Sequence, residues 1–263
     1  MSENHPEGTI TTEIRGHTFL MGLNRPKKYN GITPKMFQEL TEAYLELKNN
    51  VDLRVGVLFG HGDHFTAGID LPMNREYMKQ GKRAYDNTEV DIYGQKVKLT
   101  KPLITAVQGY TYTAGIEMAL AGDIVIAADN ARFAQLEPKR GVMATGGATF
   151  RFVERCGWGN AMYHLLTSDE FSVEEAYRIG LVQEIVETGT QLARAVEIAE
   201  QIAKMAPLAV YATKASSMTF VEHGEAAAIA EFKQIQSKLA NTQDAEEGLA
   251  SFKERRDPVF KGK

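Results

Sequence analysis

Apolar runs alternate with amphipathic stretches through the first two-thirds of the chain. Residues 18–23, Thr-Phe-Leu-Met-Gly-Leu, read as a strand that ends in the turn Asn24-Arg25-Pro26. Thr33 then caps a helix with Pro34 at its first position, and Met36, Phe37, Leu40, Tyr44 and Leu47 recur on one face. Residues 55–59 form a short apolar strand before the loop 60–63. Residues 103–107 and 124–128 read as further buried strands, with a short helix over 114–120 between them. Strand, helix, strand, helix, strand favours an α/β fold with a largely covered sheet.

The pattern changes after Val186. Ser172 and Glu175 form a capping box, and Gly180 ends the helix it opens. From Gln191 onward the chain reads as helix almost throughout, over 191–204, 207–219, 222–240 and 243–255, with Pro207 marking a start and Gly224 weakening one. Such a helical tail either packs on a neighbouring subunit, the favoured use, or closes its own core. Residues 73–101 are the hardest to read. They mix charges with Met73, Tyr77, Met78, Tyr85 and Tyr93 and read as a charged surface helix or as a mobile wall of a substrate pocket.

Composition narrows the class. The 263 residues are 43% hydrophobic and 24% charged, ordinary values for a globular chain able to bury a sizeable core. A net charge of −4 argues against a nucleic-acid-binding body. Cys156 is alone, so an intrachain disulfide is excluded and a reducing compartment is expected. The first residues have neither a basic start nor an apolar stretch, so no secretory or transit leader is expected. No apolar run approaches the ~20 residues of a membrane span, and Lys261-Gly262-Lys263 is no peroxisomal address. The expected location is cytoplasmic.

The candidate chemistry lies in two glutamates and two small-residue turns. Glu117 follows Thr113-Ala114-Gly115-Ile116 and precedes Met118-Ala119-Leu120-Ala121. A lone helical glutamate is usually solvated or ion-paired, but this apolar company favours a functional or buried, paired role. Glu137, before Pro138, comes one strand later and on its own reads equally as a loop surface residue. An earlier turn, Phe65-Thr66-Ala67-Gly68-Ile69-Asp70, follows an apolar run. A helix start leaves N–H groups unpaired, so Ala114, at the mouth of the short helix, is a candidate donor to a substrate oxygen, and Ile69, after Gly68 in the other turn, is the second. Each turn alone is more often a packing device. Together with a glutamate at each edge they describe a proton-transfer site beside an activated carbonyl.

Other candidates are weaker. Gly60-His61-Gly62-Asp63-His64 begins like a dinucleotide fingerprint but lacks the third glycine and the helix. His61, Asp63 and His64 lie in one polar loop with no helix to orient them, so no metal site is expected. Cys156 reads as packed rather than nucleophilic, and Trp158 as a helix-start anchor in the core.

Leu23-Asn24-Arg25-Pro26, Phe65-Thr66-Ala67-Gly68-Ile69-Asp70-Leu71, and the stretch from Lys101-Pro102-Leu103 through Gly109 to Glu117 and Asp123 together resemble the crotonase superfamily, the enoyl-CoA hydratase/isomerase family. The resemblance runs over nearly the whole chain. It implies a repeated β-β-α superhelix over residues 1–190 carrying an acyl-CoA site, and a C-terminal all-helical oligomerisation region over 191–263. It also implies a homotrimer or a dimer of trimers. Ile69 and Ala114 match the family's backbone oxyanion donors, and Glu117 and Glu137 match the two catalytic glutamates of its hydratases. Lys27, Ala67, Asp70, Phe252 and Arg255 match positions around the CoA, the last two commonly reaching an adjacent subunit. No cofactor is implied beyond the coenzyme A of the substrate. The chain departs from the family at Thr113-Ala114-Gly115, where a glycine triplet is usual, at Ala144-Thr145-Gly146-Gly147-Ala148 and Phe150, and at Leu71-Pro72. The implied activity is hydration of an enoyl-CoA, as in fatty-acid β-oxidation. An isomerase, needing one glutamate, and a non-catalytic acyl-CoA-binding protein, needing neither, stay open.

Overall fold

The computed structural model describes residues 6–84, 86 and 90–263. β1 (Thr9–Arg15) pairs antiparallel with β2 (Thr18–Asn24), and α1 (Pro34–Asn49) leads to β3 (Val55–Gly60), which runs parallel to β2. α2 (Leu71–Lys79) follows. Next come β4 (Leu103–Val107), β5 (Tyr110–Tyr112), α3 (Ala114–Ala121), β6 (Ile124–Ala128), β7 (Arg132–Ala134), α4 (Ala148–Cys156) and α5 (Trp158–Thr167). β8 (Phe171–Ser172), α6 (Val173–Arg178) and β9 (Glu184–Val186) precede four helices, α7 (Gln191–Ala203), α8 (Pro207–His223), α9 (Glu225–Ala240) and α10 (Gln243–Glu254).

Among the described residues the strands form a six-stranded sheet, ordered β1-β2-β3-β4-β6-β9, and a three-stranded sheet, ordered β5-β7-β8. Each turn of the chain places one strand in the large sheet and one short strand in the small sheet before its helix: β4, β5, α3, then β6, β7, α4. The segment after β3 does likewise, because Thr66 bridges Thr111 in parallel just ahead of α2. This is a mixed α/β fold, a repeated β-β-α superhelix with helices at its C-terminal end. Its consequence for function is that the starts of α2 and α3 come to lie side by side.

Period-two alternation places the two faces of the large sheet in different cores. Phe19, Met21, Leu103 and Val107 join α1, α3 and α4 in the larger core. Leu20, Val57, Ile104, Ala106 and Ile126 face α7, whose Ala195, Ala199 and Ala203 form a small-residue stripe against the strands. α1 forms as its pattern predicts. Thr33 accepts the Met36 N–H at 3.2 Å, and Met36, Phe37, Leu40, Tyr44 and Leu47 are all buried.

α8 to α10 are covered far less. Lys214 of α8 is tied to Asp123 at 2.7 Å, and the chain end is held by Asp244, which accepts the Lys261 and Gly262 N–H groups. Phe220, Val221, Ile229, Phe232, Leu249 and Phe252 remain exposed on these helices. Trp158 departs from the sequence reading. It does start α5, between two glycines, but its side chain is 70% exposed and anchors no core. Cys156 is packed as expected, and burial pushes its thiol up to about 12.

Candidate active site

The two small-residue turns meet. Phe65 N–H donates to Gln108 O at 2.7 Å, Thr66 N–H to Tyr110 O at 3.0 Å, and Tyr112 N–H to Thr66 O at 3.0 Å, so the first turn is laced alongside β5. At the point of contact Gly68 has φ +102°, and a Cβ there would stand 1.9 Å from Thr113 Oγ1. Only glycine fits. Thr113 itself holds φ 49° and ψ −113°, a conformation rarely taken by a side-chain-bearing residue, as strained backbone often is at functional sites. Its carbonyl accepts the first helical N–H of α3, from Glu117, at 3.1 Å.

Ile69 and Ala114 flank this contact and line one cavity of ≈ 320 Å³. Among the described residues, neither N–H is given to a protein acceptor. Ala114 is the first residue of α3, where an N–H is left over by the helix itself.

Glu117 and Glu137 line the same cavity. Glu117 is buried, and its Oε1 accepts the N–H groups of Gly146 at 2.7 Å and Ala148 at 3.2 Å. A Cβ at Gly146 would stand 2.5 Å from Glu117 Oε2, so any larger residue there displaces the carboxyl. Burial raises the Glu117 carboxyl above its ordinary range, opposed by those backbone donors and by the Arg83 charge. Glu137 stands at the start of a short 3₁₀ turn, Pro138–Arg140. Burial lifts it to about 7; its own backbone N–H works against the rise, and the Glu117 charge adds to it. Gln135 is fully buried, and with its amide turned to donate it reaches both Glu137 oxygens, at 2.8 and 3.1 Å.

A carboxyl held above its unfolded value destabilises the fold once it ionises. Protons favour the folded state between 4.5 and about 7, so this stability is complete below 4.5 and lost as pH rises through 7. Glu137→Gln mimics the protonated form. It is expected to raise the melting temperature at pH 8 by a few degrees, of order 1–3 kcal/mol, with the gain closing below pH 4.5. Thermal melts of both proteins at pH 4.5 and 8 check this, and an equal gap at both pH values would contradict it.

Of the residues matched to CoA contacts, Ala67 lines the cavity and Lys27 is exposed on a 3₁₀ turn, Pro26–Lys28. Asp70 caps α2 through the Met73 N–H and pairs with Arg25 at 2.7 Å, and it does not line the cavity. Phe252 and Arg255 sit exposed at the end of α10, outside the lining of this chain's cavity. Within 73–101, Tyr77, Met78 and Tyr93 are wall residues, as one of the two readings of that stretch proposed, joined by Asn74, Lys82, Arg83 and Ala84. Met73 instead contacts Arg25, and Tyr85 lies outside the described residues. The loop histidines have structural partners. His61 Nε2 meets Thr11 Oγ1 at 2.7 Å, and His64 stacks on Tyr110 and accepts its N–H at 3.0 Å. Among the described residues no three His, Cys, Asp or Glu side chains group as metal ligands.

Sequence reasoning missed Gly146 and Ala148 as the holders of Glu117, Gln135 as the partner of Glu137, and Arg83 as a wall residue. The Gly146-Gly147 pair was the one available signal.

The model of the Enoyl-CoA hydratase/isomerase family matches residues 13–263. The (E)-benzylidenesuccinyl-CoA hydratase of Thauera aromatica is 34% identical over 96% of this chain and 99% of its own. The 2,3-dehydroadipyl-CoA hydratase of Escherichia coli is 31% identical over 93% and 95%. A crystal structure of a probable enoyl-CoA hydratase/isomerase from Mycobacterium abscessus superposes with a TM-score of 0.94 at 41% identity, covering 97% of this chain and 98% of that one.

Proposed function

The chain belongs to the enoyl-CoA hydratase/isomerase family, and on that premise we propose that it adds water across the 2,3 double bond of an enoyl-CoA thioester. The observation that carries this reading is the pairing, in one cavity, of two raised carboxyls with two unclaimed N–H groups. The thioester oxygen takes the N–H groups of Ile69 and Ala114, where the enolate charge develops. A water between the glutamates supplies hydroxyl to C3. Glu117, raised by burial and held in place by the Gly146 and Ala148 N–H groups, takes the water's proton. Glu137, about half protonated near pH 7, gives its proton to C2. Exchange with solvent then restores both groups. The hydratase names of the relatives support the same chemistry.

An isomerase that shifts a 3-enoyl double bond needs a single proton shuttle, and the second carboxyl of the cavity would then have no task. Turnover on crotonyl-CoA and on a 3-enoyl-CoA separates the two. Hydration is expected to exceed isomerisation by about tenfold or more, the contribution of one general acid or base being ~10²–10⁴. Isomerisation as the faster reaction would replace the proposal.

A further inference from the structure

Gly146 is held from both sides. Its N–H donates to Glu117 Oε1 at 2.7 Å, and its carbonyl accepts from Arg151 Nη1 at 3.3 Å. Arg151 Nη2 donates to Gly94 O at 3.2 Å, so one guanidinium ties the loop at 145–148 to the chain around Gly94. Gly147 makes room for it. Its φ is +118°, and a Cβ there would stand 2.3 Å from Arg151 Nη1. Arg151 Cζ lies over the Phe150 ring, 4.8 Å from its centroid.

Stability alone does not explain an arginine here. Arg151 is buried, its hydrogen bonds go to backbone carbonyls, and among the described residues no carboxylate stands within ion-pair distance. Asp91 and Glu154 favour its charge from farther off, Arg155 opposes it, and burial works against it most. Asp91 is itself engaged by the Tyr93, Gln95 and Lys96 N–H groups. Arg151 also lies in the first turn of α4, the end of a helix that disfavours a cation. Glu117 is the group that this arrangement suits. Ala148, the first residue of α4, donates to Glu117 Oε1 at 3.2 Å, and the guanidinium backs the Gly146 peptide from its other side.

We propose that Arg151 is a positioning residue for the hydration step: it braces the Gly146 peptide so that the Gly146 and Ala148 N–H groups stay on Glu117. This rests on the reading of Glu117 as the base and adds to it a residue outside the cavity lining. Without the brace the loop can turn its N–H groups off the carboxylate, and burial then favours the protonated form more strongly. A base works only when ionised, so the loss falls on the acid side. The other charged groups of the cavity, Glu137, Lys82, Arg83 and Arg140, are left as they are.

The test reads the acid limb of kcat/KM on crotonyl-CoA, the limb that Glu117→Gln removes. In Arg151→Met it is expected to move up by about one pH unit, roughly tenfold in rate below the limb. Arg151→Lys keeps a charged donor and is expected to move it less. Arg151→Gln, with a neutral donor, is expected to move it upward too and carries the test if the methionine variant does not fold. KM at the pH optimum is expected to change by less than about threefold, since Arg151 does not line the cavity. A limb that stays in place overturns the proposal, whether activity is kept or falls equally at every pH, as lost packing alone would make it fall. Infrared titration of the Glu117 carboxyl, its band identified by its absence in Glu117→Gln, needs no turnover. If crotonyl-CoA is not hydrated but the Glu117 midpoint moves up in Arg151→Gln, the hydratase reading fails and the brace stands. If hydration proceeds and neither limb nor midpoint moves, the brace fails and the hydratase reading stands.

Discussion

Glu117→Gln and Glu137→Gln are each expected to lower kcat for hydration by about 10²–10⁴, and the double variant by less than the product of the two. Both substitutions keep size and shape. At position 117 the amide oxygen can still accept from Gly146 and Ala148, so the fold loses little. What is lost is the proton transfer. In the proposed mechanism one water serves both side chains, and once either transfer fails, the second has less to contribute. The pH dependence separates the roles. With Glu137 as the proposed acid, kcat/KM is expected to fall as pH rises past about 7. With Glu117 as the proposed base, the rate is expected to fall on the acid side too, and that limb to vanish in Glu117→Gln. A Glu117→Gln protein with near-complete hydratase activity would end the two-carboxyl mechanism. So would a series in which only Glu137→Gln abolishes conversion of a 3-enoyl to a 2-enoyl thioester. The isomerase reading would then take its place.

The parts of this site that were legible in the sequence are those with a local cause. β4 and β6 read clearly because a strand covered on both faces is a continuous apolar run. α1 read clearly because its cap, its proline and its buried face all lie within 16 residues. Glu117 stood out because a carboxyl inside Ile-Glu-Met-Ala-Leu contradicts its surroundings unless it has a task.

What was not legible depends on distant partners. β5 and β7 are three residues each, and Tyr110-Thr111-Tyr112 looks like a turn until Arg132, Phe133 and Ala134 are paired with it. Gly146 and Ala148 reach Glu117 across about thirty residues of chain, a distance no local pattern encodes. Trp158 misled for the opposite reason. A large aromatic between two glycines suggests an anchor, yet the glycines only set the start of α5 and leave the ring facing outward. Arg83 lay in the unreadable stretch, where mixed charges look like solvent-facing surface. Its guanidinium reaches the Thr145 carbonyl, 62 residues on, a contact no local pattern encodes.

Ala114→Pro is expected to lower kcat by about 10²–10³, the usual cost of one oxyanion donor. No side-chain change removes a backbone N–H, and proline is the one substitution that does. Position 114 is unusually suited to it. It is the first residue of α3, where proline's φ is that of the helix and its missing N–H breaks no intrahelical bond. The risk lies one residue earlier, because Thr113 already holds a strained conformation and proline restricts the residue before it. Circular dichroism and the affinity for a saturated acyl-CoA therefore accompany the rate. The ground-state carbonyl gains little from the donor, so binding of the saturated thioester is expected to change far less than kcat. A 3-oxoacyl-CoA, bound as its enolate and read by the enolate's ultraviolet absorbance, is expected to lose affinity in step with kcat. A folded Ala114→Pro protein that keeps full activity would show that the thioester oxygen is held elsewhere. The unclaimed N–H at the head of α3 would then be a consequence of helix geometry alone.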